Sequence, residues 1–420
     1  MHFMYQWLRR KDRERMAKTA PVVIAEYVCG GGWPEPTAAP GSLLAEGIAM
    51  WRSLVRDAAA CGIRVITTWD ARLGTPPALP PTVRIEPFAG PFGSHEDWAS
   101  HVERLARGTA DRVFVIAPET DGILEKVARR LQQRAARPAW GRTTPMRDAA
   151  SGGSGRWIGP SPDAIALATD KLRTARWLQR HGLPTPPTWL LSDVLERRVD
   201  RRTDGATRWI VKRRDGAGAQ PNWLIECTAG ELADELRRTP AATRSDPRRW
   251  IVQPFVAGVP MSVGLVGITA RDPGRHGSTG RLQRLGPWSV LIPMRQRIRD
   301  EGGSLTFAGC RTALAVPPPV QSRWARCVER FAQHWPGQPA GYLGLDFVVD
   351  ADGEVWVVDI NPRLCTSYLC LRELYGPQLA RAVLFGTEVA PLRGGDEAAE
   401  AVAYVVGEAA ARKGAAARGC

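Results

Sequence analysis

Apolar and polar positions change their period several times along the first third of the chain. Residues 21–28 (PVVIAEYV) are a short unbroken apolar run of strand length, followed by the glycines Gly30–Gly32. Ser42 stands where a helix cap belongs, and Leu43, Leu44, Met50, Trp51, Leu54 and Val55 recur at helical spacing before Gly62. Residues 63–69 and 111–117 read as two further strands, with a helix predicted over 95–107 between them. Strands that alternate with helices predict a small parallel α/β domain over residues 21–160.

The pattern then changes. Ser161-Pro162-Asp163 is a helix start, with a polar cap and proline in the first turn. A second helix over 169–181 stops at Gly182, with Pro184 beyond it. The polar, arginine-rich stretch 192–207 reads as a loop. Residues 208–212 form a strand that runs into the turn Asp215-Gly216-Ala217-Gly218, and the apolar runs 250–256 and 261–268 are separated by Gly258. A solvated loop is expected over 271–280. Residues 342–350 and 354–360 flank Ala351-Asp352-Gly353, which predicts a β-hairpin. From Gly394 onward the composition predicts one amphipathic helix and a frayed tail.

With 420 residues the chain exceeds a usual single core, so it should divide into two or three lobes. The division expected is a basic extension over 1–20, an N-terminal α/β domain over 21–160, and a larger domain over 161–390, followed by a tail over 391–420. Hydrophobic residues make up 44% and charged residues 24%, a globular composition. No apolar run approaches the roughly 20 residues that cross a bilayer, so no membrane partner is expected. The first segment is basic without a continuous apolar stretch, unlike a signal peptide, and the cytoplasm is the expected location. Eight cysteines lie scattered with no CxxC pair, and six histidines include no HExxH, so reduced core thiols fit better than a zinc site. The net charge of +14 raises nucleic acid as a partner, but the arginines are spread along the chain, and phosphate-bearing or acidic small molecules explain them as well. Lysine is scarce, which draws attention to Lys171 and Lys212.

Asp346 lies on the first strand of the predicted hairpin and Asp359 on the second, with Asn361 two residues later on the same face. Three oxygen-bearing side chains on otherwise apolar strands suit Mg²⁺, a hard cation that shares phosphate oxygens with a nucleotide. Acids at strand ends facing water would show the same pattern. Lys212 ends a strand before the small residues Gly216, Ala217, Gly218 and Ala219, where backbone N–H groups can approach phosphates. This is neither a P-loop nor a Rossmann fingerprint. Lys171 adds a cation at a helix start, and Gln253, Pro254, Phe255 and Val256 offer an apolar wall with backbone groups, although a plain core strand would read alike.

In order, the segments TDKLRTARWLQRHGLPTPPTW, WIVKRRDGAGA, WIVQPFVAGVPMSV and GYLGLDFVVDADGEVWVVDINPR resemble the ATP-grasp superfamily. The resemblance implies an α/β fold with α+β lobes, a small lobe over about 185–258 and a large lobe over about 259–390, behind a Rossmann-like pre-ATP-grasp domain. It implies that Lys171 and Lys212 contact ATP phosphates, that Gly216–Ala219 closes over them, and that Gln253–Val256 binds adenine. Asp346, Asp359 and Asn361 would hold Mg²⁺, with Mn²⁺ as a substitute. Two departures stand out: Asp359 occupies a position where the superfamily usually carries Glu, and Val259-Pro260 replace the Glu that often contacts ribose.

The segment IAEYVCGGGWPEPTAAPGSLLAEGIAMWRSLVRDAAACGIRVITTWDARL, together with NPRLCTSYLCLRE, resembles the tyramine–glutamate ligase group, which forms an amide to glutamate in methanofuran-type cofactor assembly. The implied partners are a small-molecule acid and an amine, with a homo-oligomer compatible. Such a ligase converts a carboxylate into an acyl phosphate, which the amine attacks. Arg363, two residues beyond Asn361, is placed to hold the acyl phosphate or an oxyanion. Thr366, Ser367, Tyr368, Glu26, Gly30–Gly32, Ser42 and Glu46 are candidates for the acceptor pocket, each with an ordinary structural explanation beside it. The competing readings are a ligase for another amino acid or peptide and a catalytically inactive nucleotide-binding regulatory module.

Overall fold

A computed structural model describes residues 20–39, 43–90, 94–107, 110, 112–135, 156–196, 205–216, 222–243, 245–269, 284–312, 317–392 and 403–405. Ser42, Ala217, Gly218, Ala219 and the 271–280 loop lie outside the described residues, as do residues 1–19 and most of the tail.

In the N-terminal domain the apolar runs pair side by side. Strands β1 (Val22–Glu26), β2 (Val65–Asp70), β3 (Val83–Phe88), β4 (Arg112–Ile116) and β5 (Arg156–Trp157) make a parallel sheet in the order β3-β2-β1-β4-β5. Helices α1 (Leu43–Ala60), α2 (His95–Ala106) and α3 (Ile123–Ala135) cover it. Every residue of β1 is buried, which explains a continuous apolar run where an alternating one would mark a half-exposed strand. Strand order reverses between β1 and β4, and this opens a crevice outside their carboxyl ends.

Next come α4 (Pro162–Thr169), α5 (Lys171–Arg180), β6 (Trp189–Leu190) and α6 (Leu191–Leu195). Strands β7 (Arg208–Arg213), β8 (Asn222–Glu226) and β9 (Trp250–Pro254) pair antiparallel, with α7 (Leu232–Arg237) and α8 (Pro240–Thr243) between β8 and β9. Trp209, Val211, Leu236 and Val252 give this smaller lobe a core of its own.

The larger lobe comprises β10 (Val259–Gly267), β11 (Arg284–Leu285), β12 (Trp288–Val290), β13 (Met294–Glu301), β14 (Ser304–Thr312), α9 (Pro318–His334), β15 (Tyr342–Val349) and β16 (Val355–Asn361). Phe331, Leu343, Phe347 and Val357 lie in its core. Gly258 marks the step between the lobes, where a Cβ would lie 2.2 Å from the carbonyl oxygen of Val349, so only glycine fits. A short pairing of β14 with β8 joins both lobes into one 12-stranded network.

Helices α10 (Tyr368–Tyr375) and α11 (Gln378–Phe385) return to the N-terminal domain, and Leu371, Leu379 and Val383 share a core with Trp51 and Leu54 of α1. Each such side chain stabilises by about 1.5–3 kcal/mol when buried. Across the same contact Asp57 accepts from Arg372 at 2.6 Å and from the Tyr368 hydroxyl at 2.8 Å.

Two local expectations are corrected. The stretch expected as a loop from residue 192 begins inside the short helix α6, because Leu191 and Val194 bury themselves in the smaller lobe's core. The tail expected as a helix contributes β17 (Ala403–Val405), whose backbone pairs with β14. A free strand edge overrides weak helical propensity there.

Candidate active site

The two lysines meet because of Asp170. Its carboxylate caps α5 by accepting the backbone N–H groups of Leu172 and Arg173, each at 3.1 Å, and it also holds Arg214 at 2.6 Å. The Lys171 N–H donates to the Arg214 carbonyl at 3.0 Å. The start of α5 is thus fastened to the end of β7, with Lys171 and Lys212 on one wall. The pair Asp170–Arg214 went unread in the sequence, although TDK does carry the signature of a helix cap.

On the facing wall, the β15–β16 hairpin carries a one-residue bulge. Phe347 pairs with Val357, whereas Asp346 pairs with Asp359, which leaves Val358 as the extra residue. Without it Asp359 would oppose Leu345 and point to the other face. The bulge puts Asp346, Asp359 and Asn361 on one side, with the Asn361 amide donating to Asp346 at 2.9 Å. Gln296 of β13 donates to the other Asp346 oxygen at 3.0 Å. Sequence reasoning missed Gln296, a lone polar side chain in a strand of arginines. Lys171 bridges the two walls with its ammonium 2.6 Å from Asp359.

Loss of water and the neighbouring Asp359 push the Asp346 carboxyl up to about 7. Burial pushes Lys212 down to about 8, against the pull of Asp359. Two carboxylates that repel each other across a bulge, beside a side-chain amide, fit a divalent cation that shares phosphate oxygens. Among the described residues no three His, Cys, Asp or Glu side chains gather as cation ligands. The donor set is therefore incomplete without oxygens from a bound molecule.

These walls enclose a cavity of about 1020 Å³. Lys171, Lys212, Gly216, Gln253, Pro254, Phe255, Val256, Asp346, Asp359, Asn361 and Arg363 all line it. Gln253 is buried, and its amide donates to Thr188 at 2.8 Å; Arg208 lies over the Phe255 ring at 4.6 Å. The cavity runs on into the N-terminal crevice, where Glu26, Glu46, Gly47, Met50, Ala117 and Pro118 line it together with Thr366 and Ser367. Arg363 is half-buried there against the buried Glu119 at 3.0 Å. That partner raises the guanidinium's affinity for its proton despite burial. Glu119 carried no signal in the sequence, since a Glu at a strand end is ordinary.

Two acceptor-pocket candidates fall elsewhere. Tyr368 is buried with its hydroxyl on Asp57 and is not among the residues that line the cavity. Gly30–Gly32 pack under Thr68, Phe88 and Tyr27, where any Cβ would collide, so they serve a tight turn.

Known proteins match this chain in sequence segments and in fold. A model of the pre ATP-grasp 3 domain matches residues 63–138, and a model of the ATP-grasp domain matches residues 168–272 and 273–367. Among solved structures, an ATP-grasp superfamily protein from Archaeoglobus fulgidus superposes with a TM-score of 0.57 at 18% identity, covering 89% of this chain and 91% of that one. An L-amino acid ligase from Bacillus licheniformis gives a TM-score of 0.57 at 15% identity, over 90% of this chain and 79% of that one. N5-carboxyaminoimidazole ribonucleotide synthetase from Thermus thermophilus gives 0.54 at 17%, over 88% and 79%. No curated protein matches the sequence significantly. The chain has the ATP-grasp fold, the fold of a class of ATP-dependent ligases. Residues 63–138 thus match a pre-ATP-grasp domain, and residues 168–367 behind it match the ATP-grasp domain. Among the described residues no helix is long and apolar enough to cross a membrane.

Proposed function

We propose that this protein is an ATP-dependent carboxylate–amine ligase that forms an amide through an acyl phosphate. In this reading it joins glutamate to tyramine or a tyrosine-like amine in methanofuran-type cofactor biosynthesis. The observation that carries it is the cavity in which Lys171 and Lys212 face Asp346, Asp359 and Asn361, with Arg363 a short step beyond. The finer substrate choice rests on the sequence likeness of residues 24–73 and 361–373 to the tyramine–glutamate ligase group. The same reading divides the chain at about residues 160, 258 and 390.

In this mechanism ATP lies with its adenine along Gln253–Val256, against Phe255, and its phosphates toward Lys171, Lys212 and the turn at Gly216. A carboxylate oxygen of the acid attacks the γ-phosphorus, and the bond to the β–γ bridging oxygen breaks to release ADP. The lysines offset the charge carried by the transferring phosphoryl group, so the work is positioning and electrostatics. Asp346, Asp359 and Asn361 would hold Mg²⁺ or Mn²⁺, which neutralises phosphate charge when bound. Arg363, fixed by Glu119, holds the acyl phosphate and the oxyanion that forms when the amine attacks.

Purified protein with ATP, Mg²⁺ and L-glutamate, given tyramine, tyrosine or no amine, tests this directly. ADP release that needs both glutamate and one phenolic amine, with the matching amide by mass spectrometry, is the expected result. Release with other pairs only would move the substrate choice to another amino acid or peptide. Failure to bind ATP would overturn the reading altogether.

A further inference from the structure

The reaction proposed above needs a proton acceptor that none of its assigned residues supplies, since an amine meets the enzyme largely as an ammonium ion. Asp359 and Asp346 are occupied with Lys171, Asn361 and Gln296, and Glu119 is occupied with Arg363. No histidine lines the cavity among the described residues. Two further glutamates do line it, Glu26 and Glu46.

Glu26 has a special position. It ends β1, at the point where strand order reverses, and such crevices are where open α/β sheets take ligands. It is 3% exposed and is one of the residues that line the cavity. The Cys29 backbone N–H donates to one oxygen at 2.6 Å, and the Cys29 thiol and the Val28 N–H also donate to the carboxylate, so it carries neutral donors only and no bound cation. Helix α1 passes over it at Gly47, where a Cβ would stand 2.8 Å from the carboxylate, so the helix leaves room for this group and nothing larger. Met50 and Leu43 supply apolar surface beside it.

The geometry points to Glu26 as the group that receives the amine substrate's ammonium and takes its proton, the substrate being a primary amine with an apolar body. This rests on the ligase reading. Glu26 accepts one ammonium proton. The nitrogen lone pair then forms the C–N bond, the bond from the acyl carbon to the phosphate oxygen breaks with its electrons leaving on phosphate, and phosphate takes the second nitrogen proton. Burial raises the Glu26 carboxyl above its ordinary value, against the Cys29 N–H and the Arg363 charge, which suits it to hold a proton. The groups that act on it or feel its charge are Tyr27, Val28, Cys29 and Arg363, and Arg363 in turn feels Glu119 and Glu46.

Hydroxylamine separates the two half-reactions, because it is largely unprotonated at neutral pH and traps an acyl phosphate as a hydroxamate without a base. The test compares wild type with Glu26→Gln on ATP, Mg²⁺ and L-glutamate, with either hydroxylamine or tyramine as acceptor. The expected result is hydroxamate formation within about threefold of wild type and amide formation lower by about 10²-fold, the range of a general base. The amide deficit should shrink as pH rises toward the pKa of the amine. Equal loss of both products, or amide formation unchanged in Glu26→Gln, would overturn the assignment. Hydroxamate absent from wild type itself would overturn the ligase reading and this inference with it.

Discussion

The cavity has two ends, and they are built in different ways. The end with Lys171, Lys212, Asp346, Asp359 and Asn361 is assembled from a hairpin and two element termini, and each group stands in a short recognisable stretch. The end with Glu26, Glu46, Glu119 and Arg363 is assembled from residues as far apart as Glu119 and Arg363, separated by 244 positions. Both contain a partly or fully buried ion pair: Lys171–Asp359 at 2.6 Å and Arg363–Glu119 at 3.0 Å. In the proposed ligase reading, phosphoryl transfer at the first end demands the same charges whatever the acid, so that end is written in motifs. In the same reading, acceptor recognition at the second end changes with the substrate, so that end can be written in isolated residues.

The largest expected effect is at the first end. Asp346→Asn should lower the rate of ADP formation by about 10²–10³-fold, measured at saturating ATP. The same change removes a carboxylate that Asp359 repels, so the metal-free variant should melt at a higher temperature than wild type at pH 8. Loss of activity with no gain in melting temperature would mean that the two carboxylates do not strain each other.

At the second end the comparison can be broken from the stability side. Arg363→Ala leaves Glu119 buried without its partner and should cost about 3–5 kcal/mol, read by urea denaturation. Arg363→Ala with Glu119→Ala should recover most of that stability while amide formation stays low. An additive double variant would show that the pair is not coupled.

Lys212 gives a smaller, pH-dependent effect. Its folded pKa of about 8 lies below its unfolded value, so between those two values the unfolded chain binds more protons. Stability of the ATP-free protein should therefore gain from this group as pH rises from about 8 toward 10.5. Lys212→Met should flatten that rise and stabilise the protein near pH 7, while weakening ATP binding. A profile unchanged by the substitution would show that the ammonium is well solvated.

Smallest of all, Thr188→Val removes the acceptor of the Gln253 amide and should cost about 1–3 kcal/mol, with a modest rise in the KM for ATP and no change in the KM for the acid. Equal changes in both constants would mean that Gln253 serves the whole cavity and not the nucleotide end alone.

The periodicity of residues 21–117 was enough to indicate a parallel α/β domain, because a strand buried on both faces must be apolar throughout. The Asp-Gly turn at 352–353 indicated the hairpin, and lysines at two element ends stood out in a chain that uses arginine. What no local pattern carried was the bulge at Val358, on which the facing of Asp346 and Asp359 depends. A bulge costs one unpaired residue and is settled by how the whole sheet twists, not by the residue that forms it. Nor could the sequence bring Gln296, Glu119 or the room at Gly47 to their partners, since each contact joins two separate elements, and that of Glu119 with Arg363 joins two domains. Residue types and their spacing chose the elements and most of the end that holds Lys171 and Lys212, while tertiary packing decided which face each acid turns and which distant charge it meets.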